Sequence, residues 1–398
     1  MLLRQRTPHG DPARQSVQPA NVAQRRDGSA VDGQRPDDQA PGDRTKGRRT
    51  PDDRTREGRR REGRGLKHRG LLFGAISAIS LVGAALLSVC LGVVPLQPSE
   101  VAAAIFSPGT ADAQTSAIVW TIRLPRIFVA ILVGAALAAV GVVMQAVFRN
   151  PLADPGITGV SAGAAVGAVA GITLGLAGSL TWGVPIAAFA GSLIVALVLQ
   201  GAIHATRGTS PHTLILVGVS INALAGALIA ILIANASDDA LARGAMFWLA
   251  GDLDLRQWLH VAIAAVPIIA GLVLMLLHSR SLDAMLLGDD VAATSGHDVH
   301  RNRLVLLLLA SIVTGAAVAV SGIISFVGLV VPHAVRLVLG AKHSQLLPVS
   351  ILCGSIFLVL ADTVARTAFG AAVVQTGAVC ALVGAPVFLG MLLLRRRA

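Results

Sequence analysis

The sequence has no tyrosine, only 4% aromatic residues and only 14% charged ones, where a soluble domain carries about a quarter. Lysine is almost missing as well. Lys46, Lys67 and Lys342 precede Gly47, His68 and His343. A phosphate-binding Walker A loop needs Gly-Lys followed by Ser or Thr, so the chain does not hydrolyse ATP by that route. The three cysteines, Cys90, Cys353 and Cys380, each sit inside an apolar run; no pair has metal-ligand spacing, a disulfide framework is not indicated, and they read as packing residues. No His-Glu-x-x-His string occurs, and the cluster His297, Asp298 and His300 reads as a solvated loop, so no metal site is expected. Ser161 in "GVSAG" mimics a nucleophile elbow but lacks the preceding strand, and no catalytic residue is assigned. Apart from Asp362, near the end of its run, the central apolar runs hold no carboxylate. That argues against a proton relay, while sodium sites built from backbone carbonyls would leave no such mark.

What is present is hydrophobic length. Apolar residues make up 54% of the chain, and mean hydropathy is +0.70. A membrane helix needs about 20 apolar residues. Such runs fall near 71–95, 127–148, 158–178, 183–205, 213–236, 259–278, 303–322, 324–340, 346–364 and 373–394. The run 324–340 is short and interrupted by Pro332. The pattern predicts an all-α membrane protein of about ten transmembrane helices in a compact bundle, over residues 66–398.

Charge orients that bundle. Basic residues favour the cytoplasmic side of short loops. Arg149, Arg207, Arg280, Arg301, Arg303, Arg336, Lys342, Arg395, Arg396 and Arg397 fall on one side; Arg123, Arg126, Arg243, Arg256 and Arg366 fall on the other. Both termini are therefore expected in the cytoplasm. Residues 1–70 hold 18 of the 33 basic and 10 of the 22 acidic residues. Residues 1–65, with almost no large apolar side chains, read as a disordered basic cytoplasmic tail rather than a signal peptide or a nucleic-acid binder.

Three features stand out inside the apolar body. Gly159, Gly163, Gly167 and Gly171 recur every four residues, a stripe that lets two helix backbones approach. It follows "FRNPLADPG", residues 148–156, a turn in which Pro151 and Pro155 stop either helix from continuing. The longest internal polar stretch spans 279–303, with Leu282, Met285, Leu286 and Leu287 before Gly288, then a short piece holding Ala292 before Gly296. Two short helices there would make a cytoplasmic docking surface. On the opposite side Arg123, Arg126 and Arg366 run against the charge bias and invite an acidic partner.

The ordered blocks "RLPRIFVAILVGAALAAVGVVMQAVFRNPLADPGITGVSAGA", "LDAMLLGDDVAATSG", "SGIISFVGLVVPHAVRLVLG" and "VGAPVFLGMLLLR" resemble the FecCD-type permease family over about residues 71–395. That family supplies the membrane subunits of ABC importers for iron–siderophores, haem and vitamin B12. The resemblance implies a multi-pass bacterial-type permease of the cell membrane that is not an enzyme and binds no cofactor, ATP being used by partner subunits. It implies ABC ATPases docked on Leu282–Gly296, and a substrate-binding protein outside whose acids meet Arg123, Arg126 and Arg366. It also implies a second permease copy or paralogue, and a cytoplasmic gate at Asn150 and Leu152. "VVQTGAV", 373–379, and "TRGTSPH", 206–212, depart from the family pattern. A ferric siderophore is the expected cargo, with cobalamin or haem as alternatives and an ATPase-independent secondary transporter as the rival class.

Overall fold

A computed structural model of the chain describes residues 51–107, 112–176, 182–205, 211–286, 298–368 and 374–395. The chain divides into two units, Met1–Thr55 and Arg56–Ala398; residues 1–50 lie outside the described residues, and the fold below is that of the second unit. All regular elements among the described residues are helices. They are α1 (Pro51–Cys90), α2 (Pro98–Phe106), α3 (Ala113–Ala117), α4 (Leu124–Val147), α5 (Val160–Thr173), α6 (Gly183–Ala205) and α7 (Pro211–Ala234), then α8 (Asp239–Leu249), α9 (Trp258–Leu277), α10 (Ser279–Leu286), α11 (Val299–Ser321), α12 (Val327–Leu339), α13 (His343–Thr367) and α14 (Thr376–Arg395). Seven helical stretches are long and apolar enough to cross a membrane. Three shorter apolar helices, Val160–Thr173, Val327–Leu339 and Thr376–Met391, match the remaining runs of the sequence.

Several boundaries differ from the sequence pattern, each for a local reason. Helix α1 opens at Pro51, inside the stretch expected to be disordered; its arginines and glutamates are good helix formers despite the glycines. The second run is longer than expected, because α3 continues through a π-helical turn, Ile118–Arg123, into α4. Pro332 does not break its run but sits inside α12. The polar stretch ends at Asp298, whose carboxylate accepts from Arg301 N at 2.9 Å and caps α11, so 299–303 belong to that helix.

Helix α4 lies at the centre. Its sequence is apolar on every side, the pattern of a helix surrounded by protein, and it packs against α9, α11, α12 and α13. Two close approaches seat it. A Cβ at Gly134 would overlap the carbonyl of Gly354 on α13, and one at Gly141 would overlap that of Gly328 on α12. The α5–α6 pair repeats the device: a Cβ at Gly163 would stand 2.6 Å from Gly191 O, and one at Gly167 would overlap Ala187 O. Gly171 is looser, 3.3 Å from Ala187 Cβ. Gly159 does something else. It caps α5 at φ 80, a left-handed conformation that glycine adopts freely, and lies against Ile221 and Gly218 of α7.

A Gly141→Val chain should lose about 1–3 kcal/mol through overpacking, whereas Gly83→Val, which meets nothing within 4 Å, should change little. Thermal unfolding of the two variants in detergent checks this; equal losses would contradict the α4–α12 seam.

Candidate functional site

One end of the bundle is organised around a buried carboxylate. Asp362, near the end of α13, accepts from Arg126 on α4: Nε lies 3.0 Å from both oxygens and Nη2 2.8 Å from Oδ1. Arg366, one turn further along α13, donates from Nε to Oδ2 at 3.2 Å. Thr376 Oγ1, at the start of α14, donates to Oδ1 at 2.9 Å. Arg126 Nη1 reaches outward to Asp254 Oδ1 at 2.7 Å, a carboxylate whose side chain is 54% exposed.

Arg366, joined by Arg123, also finishes α1. The last carbonyls of a helix have no intrahelical partner, and cations are favoured beside them. Arg123 donates to the carbonyls of Val89, Cys90 and Val94. Arg366 Nη1 donates to Leu91 O at 3.1 Å, and its Nη2 to Ser88 O at 3.2 Å and Ser88 Oγ at 2.7 Å. Of Arg123, Arg126 and Arg366, expected from the sequence to meet an outer partner, Arg123 is 4% and Arg126 7% exposed, and all three donate to acceptors within the bundle. The reason is the longer second helix. It carries both residues inside the helical run, where α1 and α13 offer acceptors.

The opposite end of α13 meets α10. Leu282 and Met285 are buried and seat this short helix against α4, α11 and α13, while Leu286 is 41% exposed. Asp283 Oδ1 accepts from His343 N at 2.7 Å and lies 2.9 Å from His343 Nδ1. Arg149 Nε donates to Met285 O at 3.2 Å. Burial alone would raise the Asp283 carboxyl; the side-chain and backbone hydrogen bonds of His343, with Lys342 nearby, bring it below the ordinary carboxylate range. Leu287, Gly288, Ala292 and Gly296 lie outside the described residues.

The turn after α4 is tightly folded. Arg149 adopts φ 48. Asn150 Oδ1 accepts from Leu152 N at 2.9 Å, and Asp154 Oδ1 from Gly156 N at 2.8 Å, opening the 3-10 turn Pro155–Thr158. Leu152 is exposed and Asn150 half-buried. Sequence reasoning named these two and the coupling residues, yet missed Asp254, Thr376, Asp283 and His343 as partners. The i,i+4 spacing of Asp362 and Arg366 was a readable ion-pair signal. Nothing in the sequence pairs Asp283 with His343.

Comparison with known proteins adds to this geometry. The model of the FecCD transport family matches residues 80–396. The cobalamin import system permease protein of Halobacterium salinarum is 48% identical over 275 residues, 69% of this chain and 73% of that protein. The hemin transport system permease protein of Yersinia pestis is 42% identical over 282 residues, 70% of this chain and 84% of that protein. A solved chain described as a metal-chelate type ABC transporter in an inward-facing conformation is 29% identical with a TM-score of 0.72, covering 81% of this chain and 99% of that one.

Asp362→Asn should cost about 3–5 kcal/mol, because buried guanidiniums lose their shared counter-charge. Asp254→Asn, at the solvent edge, should cost at most about 1 kcal/mol. Chemical unfolding in detergent separates the two, and equal losses would contradict the buried centre. The Asp283 contact should contribute at every pH above the unfolded carboxyl value of about 3.9 and vanish as pH falls through its lowered folded value. The stability difference between the chain and Asp283→Asn, followed from pH 7 to pH 3, should stay level and then collapse in acid.

Proposed function

The chain belongs to the FecCD transport family and is the permease subunit of an ABC importer, and we propose that its cargo is a metal tetrapyrrole, cobalamin or haem, rather than a ferric siderophore. The observation that carries the choice is the 48% identity to a permease named for cobalamin, followed by the 42% identity to one named for hemin. The proposed mechanism is alternating access. Separate ATPases close on ATP, move α10 and the segment after it, and rock the helices.

The site geometry supports this division of labour. Helix α10 is held by Leu282, Met285 and Asp283, with Leu286 left outward for a partner. On this reading α10, Asn150 and Leu152 face the cytoplasm, as do both termini, in the plasma membrane. At the outer end a docking carboxylate from the substrate-binding protein would displace exposed Asp254 from Arg126, while Asp362 keeps the guanidinium in place. Exposed Met246 and Phe247 of α8, with Arg243, Ala250 and Gln375, border a recess of about 310 Å3. A second permease copy or paralogue would enclose it. Thioether and aromatic side chains adapt to a flat macrocycle without binding it tightly.

Uptake of cyanocobalamin, haemin and a ferric siderophore should be compared in a strain lacking the gene and in the same strain complemented with it. Cobalamin or haemin uptake should fall to background in the deletion, with siderophore uptake unchanged; the reverse pattern would return the siderophore reading. Uptake that survives removal of the partner ATPase would favour a secondary transporter.

A further inference from the structure

Behind α8, on the side away from Met246 and Phe247, lies a cavity of about 500 Å3. Gly244 and Trp248 line it from α8, Ile172 from α5 and Ala319 from α11. Apart from Trp248, its only polar lining side chains among the described residues are Arg256 and His260, and none is a carboxylate. Residues 177–181, which precede α6, read Ala-Gly-Ser-Leu-Thr and hold no acid either.

His260 is 7% exposed. Its Nδ1 accepts from Gln257 N at 3.2 Å, so the ring proton is on Nε2. That nitrogen has no partner among the described residues and is not sealed in by neighbouring atoms. A protonated Nε2 donates and cannot serve as a metal ligand. Arg256 stands beside it, half-buried. Its Nε is enclosed and its Nη2 donates to Asp252 O at 3.3 Å, which leaves Nη1 for a ligand. Arg256 forms no ion pair among the described residues, and the nearby Asp254 is taken by Arg126. Two donors therefore meet in an apolar chamber without an acceptor.

The depth of the chamber narrows the choice of acceptor. Both donors flank Trp258, which is 42% exposed and packs against Phe128 and Trp120. Exposed tryptophans gather at the membrane–water boundary. From that level α6 and α9 run on into the apolar layer, each packed on α11 but with little contact between the two. A furrow floored by α11 thus continues from the chamber, and exposed Ile194 and Ile269 lie on the helices that border it.

We propose that this cavity holds the phosphate of an anionic phospholipid, with an acyl chain in the furrow between α6 and α9. Arg256 Nη1 and His260 Nε2 donate to the phosphate oxygens, which guanidinium groups suit well. The lining offers no acid to a choline or ethanolamine ammonium, so the anionic class fits better than a zwitterion. The lipid supports α8 from the side opposite the recess assigned above to the cargo.

The full-length chain, purified in a neutral detergent, is incubated with phosphatidylglycerol or phosphatidylcholine, and retained lipid is counted by native mass spectrometry. Phosphatidylglycerol should be retained over phosphatidylcholine. Arg256→Gln should lower that retention about five-fold, the weight of one basic residue at a membrane surface, and Arg256→Lys should preserve most of it. Gly244→Leu touches neither donor; its Cβ would meet only Ile172, at 3.8 Å, and its side chain fills the cavity. It should lower retention as well. Arg280→Gln, an exposed arginine outside the cavity, should leave retention unchanged. Equal retention of the two lipids, full retention in Arg256→Gln and Gly244→Leu, or an equal loss in Arg280→Gln overturns the proposal. So does displacement of the lipid by millimolar inorganic phosphate, which would mark a soluble-anion site. Full lipid retention in Arg256→Gln with loss of substrate-binding-protein association also overturns it, and gives the two donors to an acidic side chain of that partner.

Discussion

A carboxylate buried at the end of a membrane helix is stable only when donors surround it, and Asp362 has them on three sides. Arg126 brings the start of α4, Arg366 the last turns of α13, and Thr376 the first residue of α14. Both arginines are also committed elsewhere. Arg366 also closes the open carbonyls of α1, beside Arg123, and Arg126 also holds Asp254 in the loop before α9. Segments far apart in sequence therefore converge on one acid. In a low-dielectric setting no partner of this group can be removed without stranding another, which makes the end of the bundle a single unit rather than a set of loops.

The gross fold was legible in the sequence because membrane helices announce themselves by apolar length, a signal that needs no knowledge of tertiary contacts. Among the described residues each of the ten runs holds an apolar helix, seven of them long enough to cross a membrane. The glycine stripe of residues 163 and 167 was legible for a similar reason, since its four-residue period is a property of one helix. The orientation of side chains was not. Arg123 and Arg126 look outward if the second helix begins after them and inward if it begins at Ala113, and hydropathy cannot see a polar first turn. The role of Thr376 was hidden in a corner that departs from the family pattern. His343 and Asp283 are 60 residues apart, so only the folded chain brings them together.

The two polar ends share one element. His343, where α10 is fastened, and Asp362, where the arginines gather, stand on α13 at a separation of roughly 28 Å, from about 1.5 Å of rise per residue. Fastened at both ends, this helix ties one polar end of the bundle to the other, with Pro348 interrupting its backbone ladder in between.

The surface on which that helix rests matters as much as its fastenings. At Gly134 and Gly354 the backbones of α4 and α13 touch directly, and Ser355 Oγ donates across the same seam to Ile131 O at 2.9 Å. Interlocked leucines behave like gear teeth, and moving one helix past another would force each out of its rotamer well. Here the contact is backbone on backbone with a hydrogen bond across it, so the seam acts as a rivet between α4 and α13.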